Sequence, residues 1–441
     1  MSKVARKIAF YTLGCKVNQA DTASMEGIFR AAGYEVVEFG QQADVYLINT
    51  CVVTNTGQRK SRQIINRAVR NQPLSLVVVT GCYPQTAPEE VRAIDGVDVI
   101  IGNQERGRIV ELVEEALEHK QTEILDNVQQ MTVDTCFEEL GVGTETDKTR
   151  AFLKIQEGCN QYCTYCIIPY ARGPLRSRSL ESIRTEVGKL VAAGYKEVVL
   201  IGIHLGCYGK ELQKQGQQIS LYDAVQAALS VEGVRRLRLG SLESVEVEPR
   251  LLKLMATEPR LLHHLHLPLQ SGCDKILKAM HRPYDTAKFA ALLKEIKETV
   301  PNVAITTDVI VGFPGETESD FEETLAFARQ CGFAKMHIFP YSKRKGTPAE
   351  GFPNQVDEAV KQARAARLAE LDNQLHQEEL LRLVGRTVEV HFEQPVDATH
   401  LEGLCGAYER VIVEADEKLC GEIASVRIVG VQEEYLVGEL L

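Results

Sequence analysis

The chain has 441 residues, is 44% hydrophobic and 25% charged, and carries a formal net charge of −11. That balance is globular, the length implies two to four domains, and no apolar run approaches the ~18 residues that span a membrane. The acidic total argues against a generic nucleic-acid binder, and the twelve cysteines need a better account than a disulfide framework.

The N-terminal "MSKVARKIAFYTLGC" has only a short apolar stretch and no small-residue cleavage site, so a cytoplasmic, reducing location is expected. Over 1–120, "KIAFYTLG", "DVYLINT" and "LSLVVVTG" read as buried strands. "QADTASMEGIFRAAG", "QRKSRQIINRAVRNQ" and "NQERGRIVELVEEALEHK" read as helices, which predicts a parallel α/β domain. Residues 119–150, including "DTCFEELGVGTETDKTR", read as a linker. Six strand-like runs follow over 145–376: "AFLKIQ", "EVVLIG", "RRLRLGS", "LHLPLQ", "VAITTDVIVGF" and "KMHIFPYS", with helical patterns between them. Six βα units predict an open, partial barrel, since a closed one takes eight. "VDEAVKQARAARLAELDNQLHQEELLRLVG" reads as a long helix. "RTVEVHFE", "AYERVIVEA", "IASVRIVGVQ" and "EYLVGELL" then predict a small β-barrel over 380–441.

The stretch "EGCNQYCTYCIIPY" places Cys159, Cys163 and Cys166 in one loop after the first strand of that series, with Tyr165 before the last cysteine. Three thiolates can hold three irons of a 4Fe–4S cube and leave the fourth open to a substrate. A zinc loop with a distant fourth ligand, or plain buried thiols, are the bland alternatives. Cys15, Cys51 and Cys82 each sit just past one of the first three predicted strands, in "TLGCKVNQ", "NTCVVTN" and "TGCYPQ". Strand ends of a parallel sheet share one edge, so these thiols are expected to converge as a second three-cysteine site, although any one of them alone reads as a structural thiol. Cys136, Cys207, Cys273, Cys331, Cys405 and Cys420 show no ligand spacing.

Basic residues cluster despite the acidic total. Arg59, Lys60, Arg62, Arg67 and Arg70 follow Cys51, Arg172, Arg176 and Arg178 follow Cys166, and "SKRKG" adds Lys343, Arg344 and Lys345. A single run reads as a solvated face; runs beside both cysteine sets suggest a polyanionic substrate.

Strand-end cysteines, a C-x3-C-x2-C loop and a small C-terminal β module together resemble the radical S-adenosylmethionine methylthiotransferases over nearly the whole chain. The resemblance implies a flavodoxin-like first domain, a partial (βα)6 barrel, a C-terminal TRAM domain, two 4Fe–4S clusters and S-adenosylmethionine. It also implies an adenosyl radical made at Cys159, Cys163 and Cys166, and sulfur presented at Cys15, Cys51 and Cys82. Tyr165, Gly202, His204, Ser241, Glu243, Gln270, Asp308 and Gly312, most of them just past barrel strands, become its expected cofactor-binding positions, although singly they read as turn or cap residues. "TLGCKVNQ" and "NTCVVTN" resemble the MtaB branch, which makes the 2-methylthio derivative of N6-threonylcarbamoyladenosine at tRNA position 37, in the anticodon loop. The alternatives are N6-isopentenyladenosine at that position or a ribosomal-protein aspartate; an iron–sulfur electron carrier is the non-enzymatic one. An electron donor, a sulfur donor and a monomeric state complete the expectation. Residues 382–441 depart from it: five Lys/Arg against twelve Asp/Glu give −7, poor for an RNA-binding module, so this part is expected to bind through a local patch or mainly to position the other domains.

Overall fold

The computed structural model describes residues 5–119, 124–144, 149–213 and 216–441. Parts of the predicted linker, and the expected domain bounds at 120 and 145, lie outside those residues.

The first domain is a six-stranded parallel sheet: β1 (Lys7–Thr12), β2 (Glu35–Val37), β3 (Val45–Thr50), β4 (Leu76–Gly81), β5 (Val99–Ile101) and β6 (Leu125–Asn127). Its order is β2-β1-β3-β4-β5-β6, the flavodoxin-like winding with an added edge strand. β3 (VYLINT) is buried at every position, as expected of a central strand covered on both faces. The predicted strands are β1, β3 and β4; β2, β5 and β6 have three residues each, too few for a periodic signal.

The second domain carries six parallel strands in chain order: β7 (Arg150–Glu157), β9 (Glu197–Gly202), β10 (Arg236–Leu239), β11 (His264–His266), β12 (Ala304–Val311) and β13 (Lys335–Pro340). β7, β9 and β10 pair in register, as do β11, β12 and β13. Isolated bridges Leu237–Leu261 and Ser241–His266 join the two halves. A short antiparallel strand, β8 (Arg176–Ser177), extends the β7 edge. Helices form the outer layer and bury Ile183, Val225, Leu251, Phe289 and Phe321 against the strands. Thr317 and Asp320 close a reciprocal capping box at the start of the Glu318–Cys331 helix. This is the predicted partial barrel.

The C-terminal module is a closed five-stranded barrel of β14 (Thr387–Pro395), β15 (His400–Cys405), β16 (Arg410–Glu414), β17 (Ile423–Gln432) and β18 (Tyr435–Leu440). Sequence patterning misses β15 (HLEGLC), whose Glu402 and Gly403 weaken the strand signal. The expected boundary between 376 and 380 falls inside one helix, Glu358–Leu383. Leu368, Leu371 and Leu375 of this helix pack into the partial barrel, and Leu380 and Leu383 pack into the small barrel.

The module's acidity is met by the floor of the partial barrel. Arg150 pairs with Glu393 at 2.7 Å, Lys196 pairs with Glu422, and His376 meets Glu409 at 2.9 Å. Arg236 and Arg238 donate to the carbonyls of Leu404, Cys405 and Gly406, while Glu197 accepts from Arg238 at 3.0 Å and forms an ion pair with Arg236 at 2.9 Å. Tyr408, held at φ +72°, stacks on His264 with ring centroids 5.0 Å apart.

Candidate active site

β7 ends at Glu157, and Gly158 (φ +76°) turns the chain into the cysteine loop. A Cβ on Gly158 would lie 1.9 Å from the Pro174 carbonyl oxygen, so only glycine fits there. Cys159 N donates to Gly173 O (3.0 Å), Cys166 N donates to Cys163 O (2.9 Å), and Thr164 is fixed to the carbonyls of Ala279 and Met280. Arg282 Nη1 donates to Cys163 Sγ at 3.1 Å and its other nitrogens reach Glu243 and Tyr284. His204 Nδ1 lies 3.3 Å from Cys159 Sγ. Burial pushes the Cys163 thiol up and the Cys166 thiol to about 12, with the charge of neighbouring Cys159 adding to both rises. Three mutually repelling thiolates need a cation to hold them ionised together.

Several expected strand-end residues gather at this loop. Gly202 leaves room for Gln156, which donates to the carbonyls of Glu157 and Gly158 and accepts from His204 N at 2.6 Å. His204 Nε2 sits 2.9 Å from Glu246 and 3.6 Å from Cys207 Sγ, so Cys207 belongs to this group although its spacing gives no hint. Glu243 joins through Arg282. Tyr165 packs with Cys273, Phe313 and Tyr341 under the loop. Ser241 is exposed and bridges to His266, and Asp308 faces His266 Nε2 at 3.3 Å. Gln270 takes a left-handed φ of +65° and pairs across to Val309. Gly312 (φ +73°) is a turn glycine whose N–H donates to Glu316 and whose missing side chain admits Lys361.

The second set converges from three neighbouring strands. Cys15 follows β1, Cys51 follows β3 and Cys82 follows β4, adjacent in the sheet order. Side chains stitch this edge: Asn18 donates to Leu13 O and Thr50 O, and Thr50 Oγ1 donates to Thr80 O. A Cβ on Gly14 (φ +105°) would fall 2.9 Å from Cys51 Cβ and 3.0 Å from its Sγ, so glycine keeps open the space beside that thiol. Arg172 Nε donates to Cys82 Sγ at 3.3 Å and Asn103 Nδ2 approaches it at 3.6 Å. Burial drives the Cys51 thiol to about 11, with Cys82 and Cys15 adding to the rise. Cys15 opens to solvent, yet enough protein surrounds it that desolvation raises its thiol too, against the pull of Arg172.

The two sets are joined by a buried ion network at the domain interface. Asp21 takes Arg106 (2.6 Å), Lys154 (2.5 Å) and Arg172 (2.9 Å), and Glu157 takes Lys154 (2.7 Å) and Arg172 (3.0 Å). Burial opposes ionisation of Asp21, but the three cations overcome it and hold the carboxyl far below its usual range; the same balance leaves Glu157 at about 2. Glu138 of the expected linker completes Arg106, and Glu139 pairs with Arg178. The part of this segment that carries Glu138 and Glu139 is therefore a strap across the interface rather than a free tether.

That network corrects part of the expected RNA surface. Arg172, Arg176 and Arg178 are 1–3% exposed and bound inside the protein, so they are not available to phosphates. They are consumed because the loop carrying them runs into the domain interface. Arg59, Lys60, Arg62, Arg67 and Arg70 remain on the exposed face of the Asn55–Asn71 helix, whose start is capped by Thr54. Lys343 and Lys345 are exposed, whereas Arg344 is buried against Asn55 and Gln58 of that helix. Arg282, Asn103, Gln156 and Arg106 lie in no motif the sequence offers, and Asn18 stands inside "TLGCKVNQ" without a ligand signature of its own; each acts through a fold contact with a residue distant in the chain.

Soft thiolates in threes, with Cys207 reaching the first set only through His204 and with space kept open by Gly14 beside Cys51 in the second, suit a cluster with one free iron. Residues 7–102 match the model of "Uncharacterized protein family UPF0004", and residues 153–328 match the radical SAM superfamily. The chain is 43% identical to a threonylcarbamoyladenosine tRNA methylthiotransferase MtaB of Bacillus subtilis, over 98% of this chain and 96% of that one. It is 33% identical to a tRNA-2-methylthio-N(6)-dimethylallyladenosine synthase of Alkaliphilus oremlandii, over 99% and 93%. Among solved structures, the radical S-adenosylmethionine methyltransferase TsrM from Kitasatospora setae matches with a TM-score of 0.59 at 14% identity, covering 78% of this chain and 77% of that one, a likeness of fold. Both cysteine sets, their barrel and sheet, and full-length relatives of one chemistry thus agree: the chain belongs to the radical S-adenosylmethionine methylthiotransferases.

Proposed function

We propose that this enzyme converts N6-threonylcarbamoyladenosine at position 37 of tRNA to its 2-methylthio derivative. The observation that carries the reading is the pairing of two three-cysteine sites, joined through Arg172, with a full-length relative of that specificity at 43% identity. Family membership implies one 4Fe–4S cluster and S-adenosylmethionine; the second cluster, on Cys15, Cys51 and Cys82, is part of the proposal. Cys159, Cys163 and Cys166 would hold that cluster, which would supply the one-electron reducing chemistry for radical cleavage of S-adenosylmethionine, as needed to reach the inert C2 of the adenine.

The chain's own residues prepare that chemistry. Arg282 holds Cys163 by a charged hydrogen bond and is itself fixed by Glu243. His204, oriented by Glu246 and by Gln156, contacts Cys159. Glu243, Gln270, Asp308 and Ser241 offer polar groups around this edge for the cofactor's ribose and amino-acid portions. The exposed arginines and lysine of the Asn55–Asn71 helix give an electrostatic track for the anticodon stem, whose loop bases splay out without opening a duplex. The small C-terminal barrel is assigned as a TRAM domain that mainly braces the partial barrel, since Glu393, Glu409 and Glu422 are already paired. Reducing equivalents and sulfur come from separate donors.

Nucleosides from total tRNA of cells with and without the gene, resolved by mass spectrometry, test the proposal. Loss of 2-methylthio-N6-threonylcarbamoyladenosine with a rise of its unthiolated precursor is expected. Loss of the isopentenyl counterpart instead would reassign the substrate; an unchanged profile would point to a protein substrate.

A further inference from the structure

The inner face of the partial barrel can be read from strand alternation. Val198 and Leu200 of β9, Leu265 of β11, Ile305 and Val309 of β12 and Met336 of β13 join the core under the outer helices. Their alternates, including His266, Asp308 and His337, therefore face inward. So do Val199 and Ile201, which pack on Val17 and Ala20 of the first-domain helix Lys16–Ala31. That helix covers the inner face, and its first residue is Lys16.

Inward-facing cations of this region are paired: Lys154 with Asp21 (2.5 Å), Arg238 with Glu197 (3.0 Å) and Lys335 with Asp372 (2.8 Å). Lys16 is different. Among the described residues its ammonium has no carboxylate partner; it lies 3.5 Å from Tyr408 Oη and 5.2 Å from that ring's centre. The His337 imidazole is exposed, stands 5.6 Å from the His266 ring, has the Asp308 carboxylate within 4.8 Å, and makes no side-chain hydrogen bond with a described residue. Lys16 is near enough to act on it: burial lowers the His337 imidazole first, the Asp308 and Asp372 carboxylates oppose that, and His266 and Lys16 lower it further. Phe339, two residues on along the same face, is 47% exposed.

We propose that Lys16 and His337 take the carboxylate and hydroxyl of an amino-acid group on the substrate adenosine, and so select the threonylcarbamoyl nucleoside over the dimethylallyl one. An exposed ammonium with no carboxylate partner and an exposed imidazole beside an exposed aromatic face suit a nucleobase bearing an anionic, hydroxylated substituent. A dimethylallyl group offers neither an anion nor an acceptor, so covering the exposed Lys16 ammonium with it would strip water from a charge and leave that charge unpaired. The geometry of the nucleoside also fits. Its N6 substituent and its C2 flank the same ring nitrogen, while Lys16 directly follows Cys15, so the grip on the substituent and the thiol proposed to serve C2 are adjacent in the chain.

This inference rests on the proposed function, and the test separates the two. Anaerobic holoenzyme is titrated with an anticodon stem-loop RNA carrying N6-threonylcarbamoyladenosine, with the same RNA as its threonine methyl ester, and with the dimethylallyl RNA. The wild-type protein is expected to bind the acid about tenfold or more tightly than the ester, the effect of one charged hydrogen bond. Lys16→Met should erase that difference and His337→Phe should reduce it. Equal affinity of the wild-type protein for acid and ester, with the threonylcarbamoyl RNA still converted, overturns the inference and leaves the function standing. Conversion of the dimethylallyl RNA alone overturns both. Weakened binding of S-adenosylmethionine with unchanged RNA affinity in Lys16→Met would give the pocket to the cofactor and refute the assignment. The wild-type acid–ester comparison decides the matter even where a variant fails to fold.

Discussion

The two cysteine sets reach the same arrangement by opposite routes. Cys159, Cys163 and Cys166 come from one eight-residue stretch, and their geometry is set by a loop pinned at Gly158 and Thr164. Cys15, Cys51 and Cys82 span 68 positions and meet only because β1, β3 and β4 are neighbours in a parallel sheet. The first set is a local device and the second a property of the whole domain. Their surroundings differ accordingly. The local set is served by residues of the barrel, Arg282 and His204; the dispersed set is served by Asn18, Asn103 and, from across the interface, Arg172. Damage to the fold should therefore reach the dispersed site first.

The largest effects separate the two sites by chemistry. Cys163→Ala should abolish formation of 5′-deoxyadenosine, measured by chromatography after anaerobic reduction; retained cleavage would remove this loop from the reaction. Cys51→Ala should keep cleavage of S-adenosylmethionine yet lose the methylthio product, and normal product yield would break the comparison. A mid-sized effect probes the interface. Asp21→Asn leaves Arg106, Lys154 and Arg172 short of a buried counter-charge, and should cost about 3–5 kcal/mol in urea unfolding. Because the Asp21 and Glu157 carboxyls are held below their usual range, the stability they contribute is complete above about pH 5. It is lost as pH falls through the folded value of about 2 for Glu157. A wild-type unfolding curve with no added acid sensitivity relative to Asp21→Asn would contradict this. The smallest effect concerns RNA. Arg59→Glu with Lys60→Glu should weaken tRNA binding and lower the slope of log affinity against log salt by about 2. An unchanged slope would show that this helix does not touch phosphates.

What the sequence revealed follows the same division. The C-x3-C-x2-C loop is legible because its ligands are a few residues apart. The dispersed set is legible only through its offset past predicted strands, and the reading survived missing β2, because an edge strand does not alter which strand ends are central. Charge runs were half informative. Periodicity places Arg59 to Arg70 on a helix, and exposure follows; "PYARGPLRSRS" looks equally basic but enters an interface, and nothing local distinguishes the two. The acidity of the C-terminal module looked like a poor fit to RNA. Its partners, Arg150, Lys196 and His376, lie in other elements and were invisible until the docking was known. Arg282 stands in "HRPYD", which carries no ligand signature, and its role depends on a contact across 119 positions.

The most direct test of two separate centres is iron content. Anaerobically reconstituted wild-type protein should hold about eight irons per chain, and about four after replacing either Cys15, Cys51 and Cys82 or Cys159, Cys163 and Cys166 with alanine. About four irons in the wild-type protein, or full retention in the Cys15, Cys51 and Cys82 replacement, would contradict the account.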